Sequence, residues 1–141
     1  MLPKKEGAGV IIFRGNQVLL VKSGPQADHI SEVYGFPAGT IQQGETIKTT
    51  AVRELLEETG LSATVNDLQE FPNNYFEAEI QFKSGKKLGT ITLFICNHYS
   101  GEIKANEETT PEWHRLDEIQ NLNLLPNVAL AINNAQTFLK A

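Results

Sequence analysis

The chain of 141 residues has little cysteine and no long apolar run. Cys96 is the single cysteine, so an internal disulfide is excluded, and its position in the run ITLFIC predicts a buried side chain. No apolar stretch approaches the length of a membrane-spanning helix. The opening residues MLPKKEGAG lack the apolar segment of a secretory signal. These absences favour a cytoplasmic protein with no membrane partner.

Basic residues are also in the minority. The 12 Lys and Arg residues face 17 Asp and Glu residues, which gives a net charge of −5. An extended nucleic-acid surface needs clustered cations, so this partner class is excluded. A small phosphorylated molecule is not excluded, because a few local cations and a metal ion suffice to hold it. The length predicts a single domain over residues 1–141.

An acidic cluster stands out in residues 39–61, which read GTIQQGETIKTTAVRELLEETGL. On an α-helix, Glu54, Glu57 and Glu58 share one face within a single turn. Carboxylates this close repel one another unless water screens them or a cation neutralises them. Mg²⁺ in proteins is usually held by a few carboxylates and keeps positions for water and phosphate. Gly60 follows as a predicted left-handed cap of the helix.

Hydrophobic periodicity predicts strands that alternate with two helices. Two apolar runs at 8–13 and 17–21 form a predicted hairpin around Arg14, Gly15 and Asn16. Further strands are predicted at 34–37, 62–71, 75–82, 87–99 and 113–116. The polar segment 22–32 is predicted to be a loop that could close over a substrate.

The first predicted helix covers residues 46–59, and the second begins at Pro126. Their core-facing stripes are predicted from the helical spacing of apolar residues: Ile47, Ala51 and Leu55 in the first, and Val128, Ile132, Ala135 and Leu139 in the second. Strands flanked by helices predict an α/β fold with a mixed β-sheet between helices.

Residues 39–61 resemble the Nudix box, G-x5-E-x7-R-E-U-x-E-E-x-G-U, in which U is aliphatic. Nine specified positions are filled without a departure, by Gly39, Glu45, Arg53, Glu54, Leu55, Glu57, Glu58, Gly60 and Leu61. A chance match at nine positions is very improbable. The resemblance implies the Nudix-type α/β/α sandwich. It also implies a hydrolase that cleaves the diphosphate linkage of a small-molecule nucleotide with Mg²⁺, for which Mn²⁺ could substitute.

The same resemblance assigns roles within the box. Glu54, Glu57 and Glu58 are expected to be metal ligands, and the backbone carbonyl of Gly39 is expected to complete the metal shell. Glu54 is also a candidate general base, with Glu57 as a further catalytic candidate. Arg53 is counted with the catalytic residues, although we expect it, like Glu45, to hold a carboxylate in place rather than to contact substrate.

A further catalytic acid is expected outside the box. Some family members take it from a loop just ahead of a tryptophan, and here that loop reads NEETTPEW. Glu107 is the first choice, and Glu108 and Glu112 are alternatives. A solvated acidic loop would have the same composition.

Two residues are candidates for substrate binding. Lys22 lies at the end of a predicted strand, where it could contact phosphate, although a solvated lysine would look the same. Asn127 resembles the base-recognising asparagine of some nucleoside-triphosphate members, and otherwise it would be a helix cap. His29, His98 and His114 show no metal-ligand spacing.

The resemblance leaves the substrate open. A MutT-like pyrophosphohydrolase of nucleoside triphosphates is favoured by the short chain, Trp113 and Asn127. An ADP-ribose or nucleotide-sugar pyrophosphatase is favoured by the triplet 37–39, Pro-Ala-Gly. A Nudix-fold module that binds a nucleotide without cleaving it is a third reading, although such modules commonly lose the helical carboxylates that remain here. The sequence does not distinguish a monomer from a homodimer.

Overall fold

The computed structural model describes residues 1–27 and 32–141. Within them lie helices α1 (Ile47–Thr59) and α2 (Val128–Lys140) and nine strands. The strands are β1 (Lys4–Ile11), β2 (Phe13–Arg14), β3 (Gln17–Ser23), β4 (Tyr34–Gly35), β5 (Ala38–Thr40), β6 (Leu68–Gln69), β7 (Tyr75–Phe82), β8 (Gly85–Cys96) and β9 (Thr109–Arg115).

Hydrogen bonds divide these strands into two sheets. The first sheet has the order β5-β1-β8-β6, and β7 also pairs with β8. It is mixed, because β1 runs parallel to β8 while β5, β6 and β7 pair antiparallel to their neighbours. The second sheet is antiparallel and joins β2, β3, β4 and β9.

The two helices cover opposite faces of the first sheet. Ala8 and Val10 of β1 belong to one buried cluster with Leu55 of α1, whereas Ile11 belongs to the other cluster with Ile132 of α2. Adjacent strand residues point to opposite faces, so one strand supplies both cores. The predicted α/β/α sandwich with a mixed sheet between helices is confirmed.

Helix α1 begins one residue after the predicted start, with Thr46 as its N-cap, and ends at Thr59 as predicted. The Thr46 hydroxyl accepts the Thr49 N–H at 3.1 Å, and the Thr49 hydroxyl accepts the Thr46 N–H at 2.9 Å, so the first turn is capped reciprocally. Gly60 ends the helix in the left-handed region, at φ 84°. Ile47 was wrongly placed in the buried stripe, because it is 43% exposed at the first helical position.

The predicted strand at 62–71 is wrong over most of its length. Residues Val65–Asp67 form a 3-10 turn instead, and only Leu68–Gln69 pair as a strand. The Asp67 carboxylate accepts the Thr64 N–H at 2.8 Å and the Thr64 hydroxyl at 3.1 Å. Such local bonds offer the backbone an alternative to strand pairing.

Two smaller differences concern the C-terminal part. Strand β9 begins at Thr109, earlier than predicted, because residues from Thr109 onward pair with β3. Leu139, predicted to be buried, is 47% exposed near the end of α2. None of the helices in the described residues is long and apolar enough to cross a membrane.

The predicted loop at 22–32 is described only in part. Its first two residues, Lys22 and Ser23, belong to β3. Residues 28–31, which include His29, lie outside the described residues.

Candidate active site

A cavity of about 430 Å³ lies against the first sheet, on the face that carries α2. One group of its lining residues is polar and comes from β5, α1 and the start of β9. These are Gly39, Thr40, Glu54, Glu58, Glu108 and Thr109. A second group is apolar: Phe36, Phe76, Ile80, Phe82 and Leu125. The cavity therefore joins a carboxylate cluster to an apolar compartment.

Gly39 and Glu54 are in direct contact. A Cβ atom at Gly39 would overlap the carboxylate of Glu54, so only glycine lets this side chain lie against the β5 backbone. The Glu54 side chain is 13% exposed. The glycine that opens the motif therefore positions the first carboxylate of the helix.

Arg53 joins three carboxylates and one backbone carbonyl. Its guanidinium donates to Glu45 at 2.6 and 2.9 Å, to Glu54 at 2.7 Å and to Glu57 at 3.0 Å. It also donates to the Thr40 carbonyl at 3.0 Å. The fork of N–H donors on arginine suits such multiple contacts. Arg53 makes the contacts with carboxylates that were expected of it.

Glu45 anchors this guanidinium from the loop before α1. Its carboxylate also accepts the Gln42 N–H at 2.9 Å and the Thr50 hydroxyl at 2.9 Å. The hydrogen bond from Arg53 and then that from Gln42 lower the pKa of Glu45 to about 2. Glu45 is therefore ionised throughout the neutral range and fixes Arg53.

The carboxyl groups of Glu58 and Glu54 are largely buried. Burial raises the pKa of Glu58 to about 8, against the N–H of Ala38, which donates to its carboxylate at 2.8 Å. The charges of Glu54, Glu108 and Glu57 raise it further. Burial also raises the pKa of Glu54, and Arg53 opposes this shift. Both shifts show that burial opposes ionisation of these carboxyl groups in the protein alone.

These carboxylates fit a hard divalent cation by their chemistry. Carboxylate and carbonyl oxygens suit Mg²⁺ and Mn²⁺, and a cation would stabilise the ionised forms of Glu54 and Glu58. In residues 1–27 and 32–141, no three His, Cys, Asp or Glu side chains are already arranged to hold a metal ion. Arg53 holds Glu54 and Glu57, and Ala38 holds Glu58. Binding a cation therefore requires these side chains to rearrange.

The loop before β9 brings Glu108 rather than Glu107 to the cavity. Glu108 is a lining residue and Glu107 is not, although both residues are exposed. Asn106 fixes this arrangement, because its Oδ1 accepts the Glu108 N–H at 2.7 Å and its Nδ2 donates to the Glu57 carbonyl at 2.7 Å. Glu112 instead accepts from the Tyr34 hydroxyl at 2.9 Å.

Lys22 does not line the cavity. Its ammonium pairs with Glu32 at 2.9 Å. Asn127 does line the cavity, at φ 71° in the N-cap position of α2, but its side chain makes no capping hydrogen bond. Its Nδ2 donates to the Glu77 carbonyl at 3.2 Å. The side chain thus faces β7 rather than its own helix.

Outside the motif, sequence reasoning identified Asn127 and Glu108 but missed most of the other lining residues. Among those missed are Lys5, Phe36, Phe76, Phe82 and Leu125. The alternation Phe76, Ala78, Ile80, Phe82 did indicate one apolar face of β7. It could not show that this face lines a cavity, because that depends on how far α2 covers the sheet.

Comparison with known proteins shows the family. The model of the NUDIX domain matches residues 3–134, and the chain therefore belongs to the Nudix family. It is 39% identical over 93 residues to the oxidized purine nucleoside triphosphate hydrolase of Mus musculus, which covers 66% of this chain and 55% of that protein. It is 29% identical over 119 residues to the ADP-ribose pyrophosphatase of Methanocaldococcus jannaschii, covering 84% and 63%. The chain thus spans little more than half the length of these relatives.

Solved structures agree on the fold. The crystal structure of a MutT NUDIX hydrolase from Burkholderia pseudomallei superposes with a TM-score of 0.75 and 20% sequence identity. The superposition covers 93% of this chain and 97% of that one.

Proposed function

We propose that the chain hydrolyses the diphosphate linkage of a nucleotide with the help of a divalent cation. The observation that carries the proposal is the contact of Glu54 with Gly39, beside Glu58, in a cavity that also has an apolar compartment. Phosphates and a cation suit the carboxylates, and a nucleoside suits the apolar compartment. The preferred substrate class is a nucleoside triphosphate, cleaved as by MutT to a nucleoside monophosphate and pyrophosphate.

The chain's own residues have distinct tasks in this reaction. Glu54, Glu57, Glu58 and the Gly39 carbonyl would hold Mg²⁺ or Mn²⁺, which neutralises phosphate oxygens and lowers the pKa of bound water. Arg53 restrains Glu54 and Glu57 through its hydrogen bonds. A carboxylate, for which Glu54 is our first candidate, accepts a proton as the water oxygen bonds to phosphorus and the bridging P–O bond breaks.

Two relatives support different substrates. The 39% identity to an oxidized purine nucleoside triphosphate hydrolase supports a triphosphate, as does the position of Asn127 in the cavity. The 29% identity to an ADP-ribose pyrophosphatase supports ADP-ribose or a nucleotide sugar as the second candidate. The two classes differ in products, since the second yields two monophosphates.

A substrate panel tests the proposal. Purified protein would be assayed with Mg²⁺, and with excess EDTA, on dNTPs, 8-oxo-dGTP, ADP-ribose, nucleotide sugars and diadenosine polyphosphates, with products separated by ion-exchange chromatography. We expect Mg²⁺-dependent release of a monophosphate and pyrophosphate from at least one triphosphate. Two monophosphates from ADP-ribose or a sugar nucleotide would favour the second candidate. Binding without any cleavage would identify a non-catalytic module.

A pair of matched variants tests the carboxylate site. Glu57→Gln should lower kcat/KM at least about 100-fold, equivalent to about 2.7 kcal/mol of transition-state stabilisation. Glu118→Gln is the control. Like Glu57, which pairs with Arg53, Glu118 is an exposed glutamate that forms an ion pair with an arginine, Arg115. Full activity of Glu57→Gln would refute the assignment. Adding Glu107→Gln and Glu108→Gln would show which acid contributes, and the cavity lining favours Glu108.

A further inference from the structure

Lys5 is the one cation among the described residues that line the cavity. It lies on β1 two positions before Gly7, which pairs with Thr40 of β5. Residues two apart on a strand share a face, so Lys5 and Gly7 both face the cavity. Two strand residues rise about 6.6 Å, which places Lys5 beyond the carboxylate cluster.

The ammonium of Lys5 is held over an aromatic ring. Its Nζ atom lies 4.2 Å from the centroid of the Phe82 ring, within the range of a cation–π interaction. Phe82 is buried and lines the same cavity. The end of the cavity away from Glu54 therefore presents a cation fixed against an apolar wall.

The two strand positions beside Lys5 are occupied by small residues. Lys5 pairs with Gly89 of β8, and Gly89 pairs with Ala78 of β7. All three line the cavity. The Ile80 side chain lies over Gly89, because a Cβ atom there would come within 2.9 Å of the Ile80 Cδ1 atom, so this row adds apolar surface beside the ammonium.

We propose that Lys5 is a specificity-determining residue that donates a hydrogen bond to a carbonyl oxygen on the base of the substrate. An ammonium has three donors and no acceptor, so the facing group must be an acceptor. Guanine presents a carbonyl oxygen at the edge where adenine presents an amino donor. Lys5 would therefore favour guanine-type over adenine-type nucleotides.

The position of Lys5 favours a base rather than a phosphate as its partner. This inference rests on the proposed function, in which the diphosphate lies at Glu54 and Glu58. The nucleoside then extends along the sheet past Gly7 toward Lys5 and Phe82. Asn127 lines the same compartment and provides a second polar group for the base.

The test compares two bases within each substrate class. Activities on dGTP and dATP, and on GDP-glucose and ADP-glucose, would be measured for wild type, Lys5→Met, Lys5→Arg and Lys87→Met. Methionine retains a chain that can cover Phe82 but has no N–H donor. Lys87→Met removes the same charge near the same ring, since its Nζ lies 5.7 Å from the Phe82 centroid, but Lys87 does not line the cavity.

In Lys5→Met we expect kcat/KM for the guanine nucleotide to fall about tenfold, the usual effect of losing a hydrogen bond from a charged donor. The loss should appear as a raised KM, because the bond forms before the reaction. The adenine nucleotide should lose less than about threefold, and Lys5→Arg should restore most of the preference. Lys87→Met should keep the wild-type ratio of the two bases.

The ratio of kcat/KM for the guanine nucleotide to that for the adenine nucleotide distinguishes a role in base recognition from a structural role. A folding defect would lower both activities together. Hydrolysis by wild type with an unchanged guanine-to-adenine ratio in Lys5→Met would overturn the inference and leave the proposed function intact. Hydrolysis of none of the four nucleotides by wild type would overturn this inference, and the wider substrate panel would decide the proposed function separately.

Discussion

Arg53 makes three neighbouring carboxylates compatible with one another. Glu45, Glu54 and Glu57 all accept from its guanidinium, so the site has a fixed cation of its own before any metal binds. Glu58, which Arg53 does not contact in the described structure, is the acid with the strongly raised pKa. In the proposed site, Arg53 therefore restrains Glu54 and Glu57, and a bound cation would have its largest effect on the ionisation of Glu58.

Glu45 gives the stability of the protein a definite dependence on pH. Its pKa is lowered to about 2, chiefly by Arg53, against an ordinary value of 4.5. The stabilisation is therefore present above pH 4.5 and is lost as the pH falls through about 2. We expect Glu45→Gln to lower the free energy of unfolding at pH 6 and to flatten its decline below pH 4.5. Urea unfolding between pH 2.5 and 6 measures the free energy of unfolding at each pH. If this free energy fell with pH as steeply in Glu45→Gln as in wild type, Glu45 would not be the source of the pH dependence.

Strand β5 presents only backbone to the Glu54 side chain of helix α1. Gly39 supplies only backbone at the point where the Glu54 carboxylate lies. The same strand provides the Thr40 carbonyl for Arg53 and the Ala38 N–H for Glu58. Three successive residues of a short strand therefore hold the acidic face of one helix.

A methyl group at this contact should disturb the carboxylates and the packing together. In Gly39→Ala, the new Cβ would overlap the Glu54 carboxylate, so we expect a destabilisation of about 1–3 kcal/mol and a large loss of cation-dependent activity. Gly24→Ala is the matched control, because its Cβ would lie 3.4 Å from the Glu108 carbonyl oxygen, an ordinary contact. Urea unfolding measures the destabilisation, and the hydrolysis assay measures the loss of activity. Equal behaviour of the two variants would refute the role of Gly39.

The elements predicted well are those with strong local signals. Helix α1 was predicted because its apolar stripe, its carboxylate spacing and its C-terminal cap Gly60 all lie within one segment. The strand at 75–82 was predicted from alternation and has those bounds. The strand at 62–71 failed because the bond between Thr64 and Asp67 competes with pairing. Local patterns do not show which of two such outcomes has the lower free energy.

The cavity was less predictable, because it depends on contacts between distant parts of the chain. Lys5 and Lys22 both lie on strands, and the sequence does not show which one faces the cavity. Likewise, Glu107 and Glu108 are adjacent, and the choice between them depends on the hydrogen bonds of Asn106. The motif itself could be found because it is contiguous.

On the scale of the whole molecule, a bound cation should act as part of the folded structure. The native state collects carboxylates that the unfolded chain keeps apart, so a cation that binds only the native state stabilises it. At about 100 times its dissociation constant, Mg²⁺ should add about 2.7 kcal/mol, which corresponds to roughly 5–10 °C in Tm for a chain of this size.

Differential scanning calorimetry with and without Mg²⁺ measures this effect. Glu58→Gln should show a smaller increase in Tm than wild type. KCl at the same ionic strength is the control for general screening. An equal shift with KCl would show that no specific cation site contributes to stability.

The parallel pairing of β1 with β8 also determines when the site can form. Lys4 lies beside Leu88 and Ile11 beside Ile95, so the pairing spans more than half of the 141 residues. On the ribosome, β1 has no parallel neighbour until β8 has been synthesised, and closing so long a loop slows folding. The acidic helix is complete much earlier, because its hydrogen bonds are local. A nascent chain therefore carries its carboxylates before it has the pocket floor on which a substrate would lie.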